Sequence, residues 1–114
     1  IQEAATEAIT SSQSEISQMI KMFQQRRDII FSLVNEVRGV SCLKPDGAFY
    51  IFANIGQTGL TDIEFSNKVL EEASVAVCPG SFFGKYGNGY VRFCFANSED
   101  QIREGIRRIK GVFN

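Results

Sequence analysis

Arg92 lies in the run Tyr90-Val91-Arg92-Phe93-Cys94-Phe95, among apolar and β-prone residues. Side chains of a strand alternate faces. Val91, Phe93 and Phe95 therefore share one face, expected to be the core, and Tyr90, Arg92 and Cys94 share the other. Two roles fit an arginine so placed. It reaches into solvent, or its planar, permanently charged guanidinium acts as a fork that makes two parallel hydrogen bonds to a carboxylate. Spacing alone leaves both open.

Other patterns carry less chemistry. Gly80, Gly84, Gly87 and Gly89 crowd one short stretch, which marks a backbone that turns tightly or approaches something closely. Gly80-Ser81-Phe82-Phe83-Gly84-Lys85-Tyr86 matches a P-loop only in part: three residues rather than four separate the glycines, and Tyr86 stands where Ser or Thr must hold magnesium. Gly87-Asn88-Gly89 lacks the third glycine of a dinucleotide fingerprint, and no helix follows it. A structural connection is expected there. The chain contains no histidine, which removes Ser-His and Cys-His catalysis and any His-ligated metal. Cys42, Cys78 and Cys94 match no zinc or C-x-x-C spacing and read as small core hydrophobes in a reducing cytosol. Glu71 and Glu72 lie on a solvated helix face, and Asp46 is a turn residue. Phe82 and Phe83 read as core or as a contact between domains.

The elements that position these residues fit one domain of 114 residues, 44% apolar, with a net charge of −1. That charge balance disfavours nucleic acid, which requires a basic excess or stripe. Arg103, Arg107, Arg108 and Lys110 alternate with Ile102, Ile106 and Ile109, the pattern of a helix's wet face. No apolar run is long enough to span a membrane. No secretory leader is evident, and the start at Ile1-Gln2-Glu3-Ala4-Ala5 suggests an excised or processed piece.

Residues 1–9 read as the end of a helix, broken by Ser11-Ser12-Gln13-Ser14. Ser12 and Glu15 stand at capping-box spacing before a helix of about 24 residues and about 36 Å, stopped by Gly39. Its first half is expected to pack on something outside this chain. Residues 40–43 read as a short strand, Lys44-Pro45-Asp46-Gly47 as a turn with φ > 0 at the glycine, and residues 48–53 as a strand buried on both faces. A second capping box, Thr61 and Glu64, opens a helix lined by Phe65, Val69, Leu70 and Ala73. Residues 75–78 and 90–95 are the remaining strands, and Ser98 with Gln101 caps a last helix burying Ile102, Ile106, Ile109 and Phe113. The fold class is α+β, a small mixed or antiparallel sheet covered by helices and preceded by a long helix.

In this order, Lys44-Pro45-Asp46-Gly47-Ala48-Phe49-Tyr50-Ile51-Phe52, then Leu70-Glu71-Glu72-Ala73-Ser74-Val75-Ala76-Val77-Cys78-Pro79-Gly80-Ser81-Phe82-Phe83-Gly84, then Gly89-Tyr90-Val91-Arg92-Phe93-Cys94-Phe95-Ala96 resemble the C-terminal small domain of class I/II aminotransferases of the aspartate aminotransferase superfamily. Gln25-Arg26-Arg27-Asp28 resembles the long helix leading into that domain. The resemblance divides the chain into residues 1–12, the tail of a preceding helix, and 13–114, the small domain. It implies that Arg92 binds the substrate α-carboxylate and that Phe49 faces the substrate side. It places the 79–84 loop beside the active-site entrance. Ser74 departs from the pattern, since relatives commonly carry glycine there.

The resemblance further implies a cytoplasmic, homodimeric parent that uses pyridoxal phosphate to move an amino group between an amino acid and a 2-oxo acid. The Schiff-base lysine belongs to a motif upstream. Lys21, Lys68, Lys85 and Lys110 read as surface residues and Lys44 as a turn neighbour, so the chain alone is expected to be inactive and not to hold the cofactor. Two alternatives stay open: a carbon–sulfur lyase of the same fold, and a stand-alone, non-catalytic α+β binding module.

Overall fold

Alternation builds the centre of the molecule. In the structure, a computed structural model that describes residues 1–114, four strands form one antiparallel sheet in the order β1-β2-β4-β3. They are β1 (Ser41–Cys42), β2 (Tyr50–Asn54), β3 (Cys78–Pro79) and β4 (Tyr90–Cys94). The central pair, β2 and β4, runs in register from Tyr50 opposite Cys94 to Asn54 opposite Tyr90. Its inner face carries Ile51, Ala53, Val91 and Phe93, continued by Phe95, and all five are buried.

Of the four helices, α1 (Gln2–Thr10) buries nothing, and the other three close the inner face of the sheet. Helix α2 (Ser14–Val34) brings Ile30 and Val34, α3 (Asp62–Ala73) brings Phe65 and Val69, and α4 (Glu99–Phe113) brings Ile102, Ile106 and Ile109. Each such side chain contributes about 1.5–3 kcal/mol of transfer free energy. Thr61 and Glu64 form the expected capping box: the Thr61 hydroxyl accepts the Glu64 N–H at 3.2 Å, and the Glu64 carboxylate accepts the Thr61 N–H at 2.9 Å. The Ser98 hydroxyl accepts the Gln101 N–H at 3.3 Å and starts α4. The Asn114 side chain ties the chain's end to the turn after α2, accepting the Arg38 N–H at 2.9 Å and donating to the Glu36 carbonyl at 3.3 Å.

Several local expectations are corrected. Ser12 and Glu15 form no capping box: α2 starts at Ser14, and the Ser12 hydroxyl accepts the Ser14 N–H two residues on. Helix α2 has 21 residues, not 24, because the Asn35 amide donates to the Phe31 carbonyl and accepts the Cys42 N–H, turning the chain toward β1 early. Left-handed backbone falls at Ala48 (φ 64°), not Gly47, so β2 begins at Tyr50. It is buried on one face only: Ile51 and Ala53 point inward, while Tyr50 is exposed and Phe52 half-buried. Leu70 lies off the buried stripe of α3, whose polar Asp62 and Ser66 are buried instead. Cys94 is exposed, and Cys42 and Cys78 are half-buried, so none of the three is a true core residue. In the first half of α2, Ile16, Met19, Ile20 and Met22 meet nothing in this chain that buries them.

Ser74 closes α3 in the left-handed conformation, with φ 54° and ψ 39°. A Cβ is disfavoured there, which accounts for glycine in the resembling pattern. Replacing Ser74 by Gly is expected to raise the unfolding free energy of the 114-residue chain by about 0.5–1 kcal/mol, read from urea midpoints.

Candidate functional site

Arg92 occupies the middle of the sheet, opposite Phe52 of β2 on one side and Cys78 of β3 on the other. As the alternation required, it shares the outer face with Tyr90 and Cys94. Its guanidinium carbon lies 4.8 Å from the Phe83 ring centre and 5.5 Å from that of Tyr50. Each such contact with a partly hydrated ring contributes about 0.5–1 kcal/mol and holds the guanidinium plane. No carboxylate of the chain pairs with it. The acids that form ion pairs are used elsewhere: Asp28 with Arg27 and Lys44, Glu72 with Lys68, Glu104 with Arg107 and Arg108, Glu36 with Lys110. The five N–H donors of Arg92 are thus free for an acid from outside.

Around it, Tyr50, Phe52 and Phe83 line an opening of about 370 Å³. Phe52 stacks on Tyr90 (centroids 5.3 Å apart, planes 7° apart) and meets the Phe83 ring edge-on at 6.1 Å. The site is therefore one cation in an aromatic frame. It suits a carboxylate attached to a small organic body, whose charge meets the fork while its carbon skeleton meets the rings.

Phe49 does not line this opening. It is 51% exposed and borders a different cleft of about 280 Å³ with Ile20, Phe23 and Arg27. Tyr50 links the two, with its ring 5.9 Å from Phe49 and near the Arg92 guanidinium. Tyr50 and Phe52 were missed as site residues because the strand was read as buried on both faces. Pairing their outward alternation with that of Arg92 would have found them.

The glycine-rich connection forms two 3-10 turns, Gly80–Phe83 and Lys85–Gly87. It is no phosphate cradle. The Ser81 N–H is already taken by the Asp62 carboxylate at 2.7 Å, and the Gly84 and Gly87 N–H groups close the turns on Ser81 and Gly84 carbonyls. The turns press on each other at Gly80 and Gly87: a Cβ on Gly80 would stand 2.2 Å from the Gly87 carbonyl oxygen, and one on Gly87 would stand 1.9 Å from that of Gly80. Asp62 carried no sequence signal beyond being the first acid of α3. Its burial pushes the carboxyl up, but hydrogen bonds from Ser81 and from the backbone N–H groups of Asp62 and Ile63 outweigh this and hold it below the usual carboxylate range.

Residues 1–109 match the family model for class I and II aminotransferases. The chain belongs to this family. It is 44% identical to an aspartate aminotransferase of Pyrococcus abyssi over 98% of this chain and 29% of that protein. It is 42% identical to a probable N-acetyl-LL-diaminopimelate aminotransferase of Bacillus subtilis over 96% of this chain and 28% of that protein. The crystal structure of an aromatic aminotransferase from Pyrococcus horikoshii superposes with a TM-score of 0.90 at 42% identity, covering 96% of this chain and 29% of that one. The chain thus spans under a third of these aminotransferases, and the expected α+β small-domain fold is the one found.

Two measurements on this aminotransferase chain check the loop geometry. Gly80→Ala is expected to cost more than about 3 kcal/mol in chemical unfolding, whereas Gly111→Ala, on the open face of α4, should gain up to about 1 kcal/mol. Asp62, with its folded pKa below the unfolded one, stabilises the chain fully above about pH 4, and this is lost as pH falls through the lowered value. Asp62→Asn should flatten that acid limb in a pH series of unfolding midpoints.

Proposed function

We propose that residues 13–114 form the substrate-clamping small domain of a pyridoxal-phosphate-dependent aminotransferase, with residues 1–12 the tail of a preceding helix. One observation carries this reading. Arg92 is half-buried in an aromatic frame and has no acid of its own. In the proposed enzyme it takes the α-carboxylate of an amino acid and of its 2-oxo acid product. Fixing that carboxylate orients the bonds at Cα, and the surrounding rings exclude water from the charge pair. Phe49 would contact the substrate from beside Tyr50 rather than from the arginine's opening.

The cofactor does the carbanion chemistry of such enzymes. The lysines of this chain do not fit it. Lys44, Lys68 and Lys110 are each engaged by a carboxylate, and Lys21 and Lys85 lie on the open surface. The cofactor, its lysine and the facing wall of the substrate site would come from the remainder of the enzyme, together with a second subunit in a cytoplasmic homodimer. No helix of this chain is long and apolar enough to cross a membrane. The apolar row of α2 at Ile16, Met19 and Ile20 is where the domain would meet that remainder.

Arg92→Ala in the complete enzyme is expected to lower kcat/KM for amino-acid substrates by about 2–5 kcal/mol in transition-state terms. Keto-acid-dependent amino transfer, compared with pyruvate release from a cysteine conjugate, distinguishes transamination from lyase activity. An unchanged kcat/KM for Arg92→Ala would overturn the carboxylate assignment.

A further inference from the structure

Asp62 is a buried carboxylate that the proposed reaction does not use. It is 6% exposed and stands at the first position of α3, remote in sequence from Arg92. No cation pairs with it. Its Oδ2 instead accepts the Ser81 backbone N–H at 2.7 Å, while its own carbonyl accepts the Ser66 hydroxyl at 2.8 Å. The charge is tolerated because it sits at a helix N-terminus, where unpaired N–H groups and the helix dipole favour an anion. The Ser81 N–H belongs to the first turn of a 3-10 segment and would otherwise lack a partner. A charge-assisted bond is about twice as strong as a neutral one.

What this bond fixes is the Gly80–Phe83 turn. One end of the turn is held by the interlocked Gly80 and Gly87 backbones. Asp62 holds its middle, and Phe83 leaves its far end to stand edge-on to Phe52 and 4.8 Å from the Arg92 guanidinium carbon. Phe83 is 52% exposed, so no core packing locks its ring; the backbone beneath must do so.

We propose that Asp62 is a positioning residue for carboxylate binding: its bond to the Ser81 N–H sets the turn that carries Phe83, and Phe83 orients the Arg92 fork. This rests on the reading of Arg92 as the carboxylate ligand. Without the anchor the turn shifts, the ring leaves the guanidinium, and the arginine samples orientations that do not present two parallel N–H bonds.

The test uses the complete enzyme loaded with pyridoxal phosphate, with 3-phenylpropionate as a non-reacting carboxylate probe and competitive inhibition as the readout. Four variants are compared: Arg92→Ala, Asp62→Ala, Asp62→Asn and Phe83→Leu. Arg92→Ala is expected to weaken inhibition about 100-fold, the scale of losing a buried charge pair. Asp62→Ala is expected to weaken it about 10-fold and to raise KM more than it lowers kcat. Asp62→Asn, whose amide oxygen still accepts the Ser81 N–H, should recover most of that loss. In a Phe83→Leu background, Asp62→Ala should add less than about 2-fold, because the two act through one route. If Arg92→Ala has no effect, the Arg92 reading fails and this proposal with it. If Arg92→Ala weakens the probe while Asp62→Ala does not, or if the Asp62 and Phe83 effects multiply independently, the positioning role alone is overturned. Should Asp62→Ala fail to fold, Asp62→Asn and Asp62→Ser decide in the same way: an Asn loss as large as that of Ser overturns it.

Discussion

The five-residue register between β2 and β4 is the constraint on which everything else depends. Strand side chains alternate with a period of two, so one pairing assigns ten residues to two faces at once. Ile51, Ala53, Val91 and Phe93 go inward and give the three packed helices a floor. Tyr50, Phe52, Tyr90 and Arg92 go outward and make the face proposed to bind the carboxylate. A slip of one residue in β4 would turn the Arg92 guanidinium into the core and Phe93 and Phe95 to solvent. The buried half of the pair thus enforces the position of the outward half, and no separate device is needed to keep Arg92 outside the core.

Much of this was legible in the chain itself. The alternation of Tyr90 through Phe95, the second capping box and the Ser98 cap depend on neighbours a few residues apart, and they appear as expected. The errors share a different cause. Ser12 and Glu15 had the right spacing, but Gln13 and the Ser12 hydroxyl found other local partners. Helix α2 stops at Val34 because Asn35 reaches Cys42, a residue of another element. Leu70 had helical spacing, yet the buried positions of α3 are decided by where α4, the sheet and the Ser81 turn lie, which no periodicity contains.

The site was legible in the same measure. Arg92 was visible because a charge within an apolar strand is conspicuous; Tyr50 and Phe52 follow from strand alternation once β2 has one outward face, whereas the contact with Phe83 carries no spacing rule. Phe83 reaches it through a turn and Tyr50 from the neighbouring strand, while Asp62 touches only the turn, through one hydrogen bond to Ser81, 19 residues away. The family resemblance supplied the carboxylate role proposed for Arg92. The aromatic frame, and the separation of Phe49 from it, came from the structure.

The contact between Gly80 and Gly87 also bears on how such a loop changes over generations. Crowded pairs in a protein core usually have an escape: one partner shrinks, the other then grows, and volume is conserved along a two-step path. Here both partners already have the smallest possible side chain, and the atoms in collision belong to the main chain. No compensating exchange exists at either position, in either order. The loop can change in length or be replaced as a block, but it cannot drift residue by residue at these two points, and the arginine beside it inherits that rigidity as a fixed address.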